Sequence, residues 1–271
     1  MFITIKISTI LILACTILLL TSLSFSQPKI AILYSGLTEK QSNEQSQKIN
    51  DVITSLELFL MQDKILYKVI YDNDLESGIV DDFDILILPS VEIINEPEFN
   101  SLQEFLASGK SIINIGSRLK SASNEFNEFS NLSTLFGLVN LKNLETNDLS
   151  FTQTLSQNFF SDLKIKGDGI LRISTRNHPL ISEEENYTNI SSGFTISKVK
   201  SSFNKTSIMQ GVIYKGRFLW TGFGIDDLVG GKEDNLEFQG FIKSTIDWMD
   251  TKPDVRLANF TDQFLSPLIL T

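Results

Sequence analysis

Two short stretches decide the fold of this chain: Asp84-Ile-Leu-Ile-Leu-Pro-Ser90 and Ser111-Ile-Ile-Asn-Ile-Gly-Ser117. Each is a largely apolar run of strand length that ends in turn-forming residues, which is typical of strands buried on both faces of a parallel sheet. The segment between them carries apolar residues at helical spacing: Phe99, Leu102, Phe105 and Leu106. The two stretches therefore predict a strand–helix–strand unit whose helix connects two parallel strands.

Both ends of the predicted helix carry terminal signals. Asn95 followed by Glu98 matches a capping box, in which the two residues satisfy each other's backbone N–H groups. Gly109 stands where a helix ends in the left-handed conformation.

The same alternation extends toward the N-terminus. Residues 29–35 read as a buried strand, residues 42–61 as an amphipathic helix, and residues 66–71 as a second strand that stops at Asp72. Strands alternating with helices predict an α/β fold of the flavodoxin-like class: a mainly parallel sheet with helices on both faces.

The pattern changes after Ser117. We expect a helix over residues 126–139, irregular structure over 140–165 and a strand over 169–174. The strands expected at 194–200, 207–214 and 217–223, with a tight turn at Lys215-Gly216, predict a C-terminal antiparallel ribbon at the sheet edge. A final amphipathic helix is expected over 236–249.

The N-terminus has the pattern of a secretory signal peptide. Lys6 precedes a nearly continuous apolar run over residues 7–23, and Ser24 and Ser26 supply small residues before a cleavage site ahead of Gln27. The alternative is an uncleaved membrane anchor, because the run approaches the roughly 20 residues that span a bilayer. We expect an extracytoplasmic bacterial protein, periplasmic or secreted, or one that is anchored by residues 7–23.

Composition excludes several kinds of chemistry. Cys15, within the signal segment, is the only cysteine, so the mature chain lacks disulfides, thiolate metal ligands and a cysteine nucleophile. The net charge is −10, or −11 without Lys6, which disfavours nucleic-acid binding. A single histidine makes a transition-metal site improbable, and glycine-rich phosphate loops are missing. We therefore expect no metal and no cofactor.

The only candidate catalytic residues are Ser117 and His178. Ser117 follows the second strand and could be a nucleophile on an elbow, with His178 as its general base and Asp162, Asp168 or Glu183 to Glu185 orienting the imidazole. The flanking Gly-x-Ser-x-Gly pattern is missing. The sequence favours the structural alternative for each: a turn or cap at Ser117, a turn at Asn177-His178-Pro179 and a solvated face for the glutamates.

Several segments resemble the class I glutamine amidotransferase-like domain: "DILILPS", "SIINIGS", "NHPLI" and "GVIYKGRFLWTGFG". Catalytic members of that family carry a cysteine at the elbow and a later His-Pro-Glu. Here Ser117 lies near the elbow and Leu180 follows His178-Pro179. The resemblance therefore implies a non-catalytic version of the domain.

Non-catalytic versions occur ahead of bacterial polysaccharide deacetylase domains, and "KPDVRLANF" with "SPLILT" resembles the entry to such a domain. The resemblance implies a signal peptide (1–26), an amidotransferase-like domain (27–249), and a linker with a first strand of a further domain (250–271). We expect an accessory domain of an exported carbohydrate-active protein, inactive alone, whose partner is a carbohydrate or a downstream deacetylase. The alternatives are an envelope binding module that uses Tyr34, Trp220 or Phe223, and a serine hydrolase using Ser117 and His178.

Overall fold

The computed structural model describes residues 29–41, 43–116, 120–121, 135–136, 138–143, 145, 148–152, 170–174, 180–185, 196–200, 206–224 and 233–250. The predictions for the signal segment, for Ser117, for most of the helix at 126–139, for His178 and for residues 251–271 lie outside these ranges.

The described chain alternates strands and helices at first and then consists mainly of strands. The strands are β1 (Ile30–Tyr34), β2 (Tyr67–Tyr71), β3 (Ile85–Pro89), β4 (Ile93–Ile94), β5 (Ser111–Ile115), β6 (Lys120–Ser121), β7 (Leu138–Asn143), β8 (Asp148–Thr152), β9 (Ile170–Ser174), β10 (Leu180–Glu185), β11 (Ile196–Lys200), β12 (Thr206–Ile213) and β13 (Gly216–Thr221). The helices are α1 (Gly36–Gln41), α2 (Asn43–Gln62), α3 (Asp72–Glu76), α4 (Glu96–Ala107) and α5 (Glu233–Asp250), with a 3₁₀ turn at Ile79–Asp82.

The main sheet has a parallel half and an antiparallel half. Its order is β2-β1-β3-β5-β13-β12-β10-β7, with β11 also paired to β12. Neighbours from β2 to β13 run parallel, and those from β13 onward run antiparallel. The predicted α/β class with a mainly parallel central sheet is confirmed. The ribbon of β12 and β13 extends that sheet as expected, but β13 itself pairs in parallel with β5.

Helices cover both faces of the parallel half. Side chains of α2 and α5 pack with one set of strand residues, including Ile30, Ile85 and Ile113, and those of α4 pack with the alternate set, including Leu33, Leu86 and Ile112. The central strands are therefore buried on both sides, which explains their continuous apolar composition.

The terminal signals of α4 are confirmed. Asn95 Oδ1 accepts a hydrogen bond from the Glu98 N–H at 2.9 Å, and Glu98 Oε2 accepts one from the Asn95 N–H at 2.7 Å. Gly109 has φ +96°, the left-handed conformation that ends the helix.

The middle of the chain differs from the prediction. Residues 138–143 and 148–152 are strands, so the irregular structure expected over 140–165 is wrong for residues 140–143 and 148–152, and the expected helix does not extend through Val139. Strand β10 includes the glutamates 183–185, for which the sequence predicted a solvated face without assigning a strand. Strands β7 and β10 pair with each other over Leu138 to Asn143, and this long-range pairing overrides their polar local composition.

Within the part of the chain that the structure describes, none of the helices has the length and apolar character needed to cross a membrane.

Candidate functional site

The ends of four parallel strands meet at one edge of the sheet, which we call the carboxyl edge. Ser35 follows β1, Asp72 follows β2, Ser90 follows β3 and Gly116 follows β5. The chain leaves β1 toward β2 and returns to β3 on the other side of β1. The gap between β1 and β3 is therefore the topological switch point, where ligands bind in open α/β sheets.

Hydroxyl groups of the chain itself bridge the switch point. Thr38 Oγ1 lies 3.0 Å from Ser35 Oγ and accepts hydrogen bonds from the backbone N–H groups of Glu92 and Ile93 at 3.1 and 3.0 Å. Ser35 Oγ also accepts the Thr38 N–H at 3.2 Å and lies 3.4 Å from the Ile93 carbonyl oxygen. Both hydroxyl side chains are buried. Their hydrogen bonds join the end of β1 to β4, and the two side chains are hydrogen-bonding partners of each other at the switch point.

A strained residue ties β3 to β5 at the same edge. Ser90 has φ +52°, a left-handed conformation that costs a non-glycine residue about 1 kcal/mol or more. Its N–H donates to the Ile115 carbonyl oxygen at 2.8 Å. This bond extends the pairing of the two strands by one residue and holds the loop after β3 against the end of β5.

A group of carboxyl side chains lies beside the switch point. Asp72 and Glu76 come from α3, and Glu98, which is 0% exposed, comes from the first turn of α4. Asp72 Oδ2 accepts the Leu37 N–H at 3.0 Å, and Glu76 Oε1 accepts a short hydrogen bond from Asn95 Nδ2. These contacts connect α1, α3 and the start of α4.

The protonation of Glu98 is set by its surroundings. The pKa of Glu98 is raised to about 8: burial is the largest cause, the Asp72 and Glu76 carboxylates also raise it, and the hydrogen bond from the Asn95 backbone lowers it. Glu98 is therefore mainly protonated at neutral pH. Sequence analysis identified it only as a helix cap. Its nearness to Asp72 depends on the packing of α3 against α4, so no local signal in the sequence identified it.

Two glycine contacts bring other parts of the chain to this edge. Gly116 has φ +68°, and a Cβ there would lie 2.9 Å from Gly224. Leu180 donates its N–H to the Gly222 carbonyl oxygen at 2.6 Å. Ser117 and His178 are not among the described residues, but their described neighbours Gly116 and Leu180 both contact the segment 222–224.

Of the three aromatic residues expected to bind a ligand, two are buried and one is half-buried. Trp220 is 0% exposed and Phe223 is 3% exposed, so neither can contact a ligand at the surface and that prediction is wrong for both. Tyr34 is half-buried at the end of β1, and its ring centroid lies 5.7 Å from that of Tyr71. Tyr71, at the end of β2, is 57% exposed.

Among the residues described here, no group of three or more histidine, cysteine or acidic side chains has the arrangement of a metal site.

Comparisons with known proteins show which solved structures have a similar fold. No family model matches the chain, and a search of curated proteins finds no match either. A ThuA-like protein from Bacteroides uniformis ATCC 8492 superposes with a TM-score of 0.54 at 10% identity, over 83% of this chain and 92% of that one. The fold is glutamine amidotransferase-like.

Two β-galactosidases also contain a similar domain. The enzyme from Bacillus circulans sp. alkalophilus matches with a TM-score of 0.51 at 12% identity, over 84% of this chain and 32% of that one. The enzyme from Rahnella sp. R3 matches with the same TM-score at 13% identity, over 83% and 32%. The chain thus spans about a third of the length of these enzymes, and at such identities the likeness concerns the amidotransferase-like fold alone.

Gly116, directly after β5, is closely packed against Gly224, and the next residue in the sequence is serine. In the sequence, leucine follows the His178-Pro179 pair.

Proposed function

We propose that this chain is a non-catalytic amidotransferase-like accessory domain of an exported bacterial carbohydrate-active protein of the polysaccharide deacetylase type. The observation that carries the proposal is the buried hydroxyl network at the switch point. Ser35 and Thr38 use their hydrogen-bonding groups on each other and on the backbone of β4. The crevice that serves ligands in related folds therefore serves here to hold the chain together.

The sequence of the elbow supports the same proposal. A cysteine thiolate and a His-Glu pair are the groups by which amidotransferase-like enzymes attack an amide. Serine at 117 and leucine at 180 remove the nucleophile and the group that would orient the histidine. Such a domain contributes packing surface or ligand contacts to a larger protein.

The fold comparison supports a carbohydrate context. Two β-galactosidases have a similar fold over about a third of their length. These two carbohydrate-active enzymes thus contain a region of this architecture as one part of a longer chain. The deacetylase type rests on the sequence of residues 252–271.

An activity assay tests the non-catalytic part of the proposal. The full chain and its Ser117→Ala and His178→Ala variants are incubated with glutamine and with p-nitrophenyl esters of short acids. We expect the three proteins to give the same background rate. An ester-hydrolysis rate that both substitutions abolish would instead establish the serine hydrolase alternative.

The deacetylase link has a separate test. We expect the genomic reading frame beyond Thr271 to encode a Thr-Phe-Asp-Asp-like motif within the next strand. A frame that continues without such a motif contradicts the link and leaves the activity result unaffected.

One observation favours a second candidate function, an envelope binding module for sugars. Tyr34 and Tyr71 are neighbours in register at the carboxyl edge, and the Tyr34 hydroxyl interacts with Glu39 and Asn50. An exposed aromatic ring flanked by carboxylate and amide groups can stack on a sugar and bind its hydroxyls.

A glycan array with the full chain tests this second function. If it is correct, Tyr71→Ala abolishes binding of a sugar ligand, and Lys68→Ala, which changes an exposed residue on the same strand, leaves the binding unchanged. Equal binding by both variants, or no binding by the unmodified chain, rejects the module.

A further inference from the structure

The carboxyls of Asp72 and Glu98 form a close pair with one unsatisfied oxygen each. Asp72 Oδ2 is bonded by the Leu37 N–H, and Glu98 Oε2 by the Asn95 N–H. Asp72 Oδ1 and Glu98 Oε1 are buried and have no donor among the described residues. The hydrogen bond from Asn95 to Glu76 holds the start of α4 against α3, which also carries Asp72, and a side-chain hydrogen bond with Asp72 is among the causes that raise the pKa of Glu98. We call them the carboxyl pair.

Two ionised carboxylates are incompatible with this arrangement. Each offers only acceptors, so the two buried oxygens would face each other without a hydrogen, and like charges would meet in a poorly solvated place. One proton converts one of the acceptors into a donor and satisfies both atoms. Paired acids elsewhere share a proton for the same reason.

We propose that Asp72 and Glu98 share one proton and act as a pH-sensitive latch that holds the start of α4 to the end of β2. The latch connects three elements at the carboxyl edge, because Asp72 also accepts the N–H of Leu37 in α1 and Asn95 also donates to Glu76 in α3. When the proton leaves, the two carboxylates repel each other and the contact between α3 and α4 loosens. The switch-point network of Ser35 and Thr38 lies beside it.

The groups around the carboxyl pair favour the protonated form of Glu98. From α3, the pair is faced by Glu76, and from α4 by the neutral side chain of Asn95. From α1, the backbone N–H of Leu37 donates to Asp72 Oδ2.

The pKa of Glu98, raised from 4.5 to about 8 with burial as the largest cause, sets the direction of the effect. A carboxyl with a raised pKa binds its proton more tightly in the folded chain than in the unfolded chain. Its contribution to stability is therefore complete below pH about 4.5 and is lost as pH rises through about 8.

Thermal unfolding of the full chain between pH 5 and pH 9 tests the latch. The Glu98→Gln variant keeps the acceptor for Asn95 and places a permanent N–H donor toward Asp72. We expect the melting temperature of the unmodified chain to fall by about 5–10 °C more than that of Glu98→Gln over this range. Glu104→Gln, an exposed change on the same helix, should retain the full fall.

Two further measurements keep the test decisive. In protein with ¹³C-labelled glutamate, one side-chain carboxyl should titrate near pH 8, and Asp72→Asn should lower its pKa because the neighbouring negative charge is removed. Equal pH dependence in the unmodified chain and in Glu98→Gln overturns the latch. So does a rise in the melting temperature at pH 8 on adding Ca²⁺ or Mg²⁺ that Glu98→Gln abolishes, because a cation rather than a proton then occupies the pair.

Discussion

Gly222 and Gly240 show how the surroundings of a glycine decide whether the methyl group of an alanine would fit in its place. A Cβ at Gly222 would clash with the Leu180 carbonyl oxygen, so the backbones of the two segments are in direct contact. A Cβ at Gly240, on the exposed side of α5, would meet nothing within 4 Å. The local sequence predicts a strand around Gly222 and a helix around Gly240, but it does not reveal the contact at Gly222, because that contact comes from a segment distant in the chain.

The same substitution should therefore have opposite effects at the two positions. Gly222→Ala should lower the free energy of unfolding by about 2 kcal/mol or more, because β10 and the segment after β13 must move apart. Gly240→Ala should raise it by about 0.5–1 kcal/mol, because alanine favours a helix interior. Urea unfolding of both variants checks the pair, and a stable Gly222→Ala protein would contradict the close packing.

Helix α4 is the element whose structure the sequence predicted most completely. The capping box of Asn95 and Glu98, the apolar stripe and the glycine stop are all properties of residues within a few positions of one another. A local pattern of this kind does not depend on the rest of the fold. The role of Glu98 beyond its cap was not predicted, since it requires Asp72 from another element.

The cap at the start of α4 gives an element-scale prediction. Asn95→Ala removes the acceptor for the Glu98 N–H and the donor to Glu76, and should lower the free energy of unfolding by about 1–2 kcal/mol. Asn95→Ser keeps a capping oxygen and should cost less than half of that. Urea unfolding measures both. If the serine variant loses as much as the alanine variant, the bond to Glu76 rather than the cap stabilises this end.

Strands β7 and β10 illustrate why other elements were not predicted. Their sequences, Leu-Val-Asn-Leu-Lys-Asn and Leu-Ile-Ser-Glu-Glu-Glu, combine few apolar residues with several polar ones. Each becomes a strand by pairing with the other over five residue pairs. Such pairing is a property of two distant segments, so neither one alone predicts it.

At the scale of the whole molecule, one sheet separates two apolar clusters. Trp220 belongs to the cluster on the α4 side, and Trp248, whose ring lies 5.1 Å from the Arg217 guanidinium carbon, packs against the cluster on the α2 and α5 side. They are the only two tryptophans, so each can report on one face of the sheet.

The shared sheet predicts that both faces unfold together. Leu56→Ala, at a fully buried position on α2, should cost about 2–5 kcal/mol. Leu56→Ala is introduced into a Trp220→Phe protein and into a Trp248→Phe protein, each of which keeps one tryptophan. The substitution should lower the urea midpoint of the tryptophan fluorescence by the same amount in both. Leu58→Ala, at an exposed position on the same helix, is the control and should change neither midpoint appreciably. A shift confined to the Trp248 signal would mean that the two faces unfold independently.

The sequence by itself determined the parallel half of this protein, from β1 to β5, and the helices on its faces. Burial on both sides requires continuous apolar strands, and burial on one side requires an amphipathic helix, so both are visible locally. Only the tertiary structure decided the antiparallel half, the hydroxyl network at the switch point and the pairing of Asp72 with Glu98. Each of these depends on polar groups from separate segments, whose partners are known only when the chain is folded.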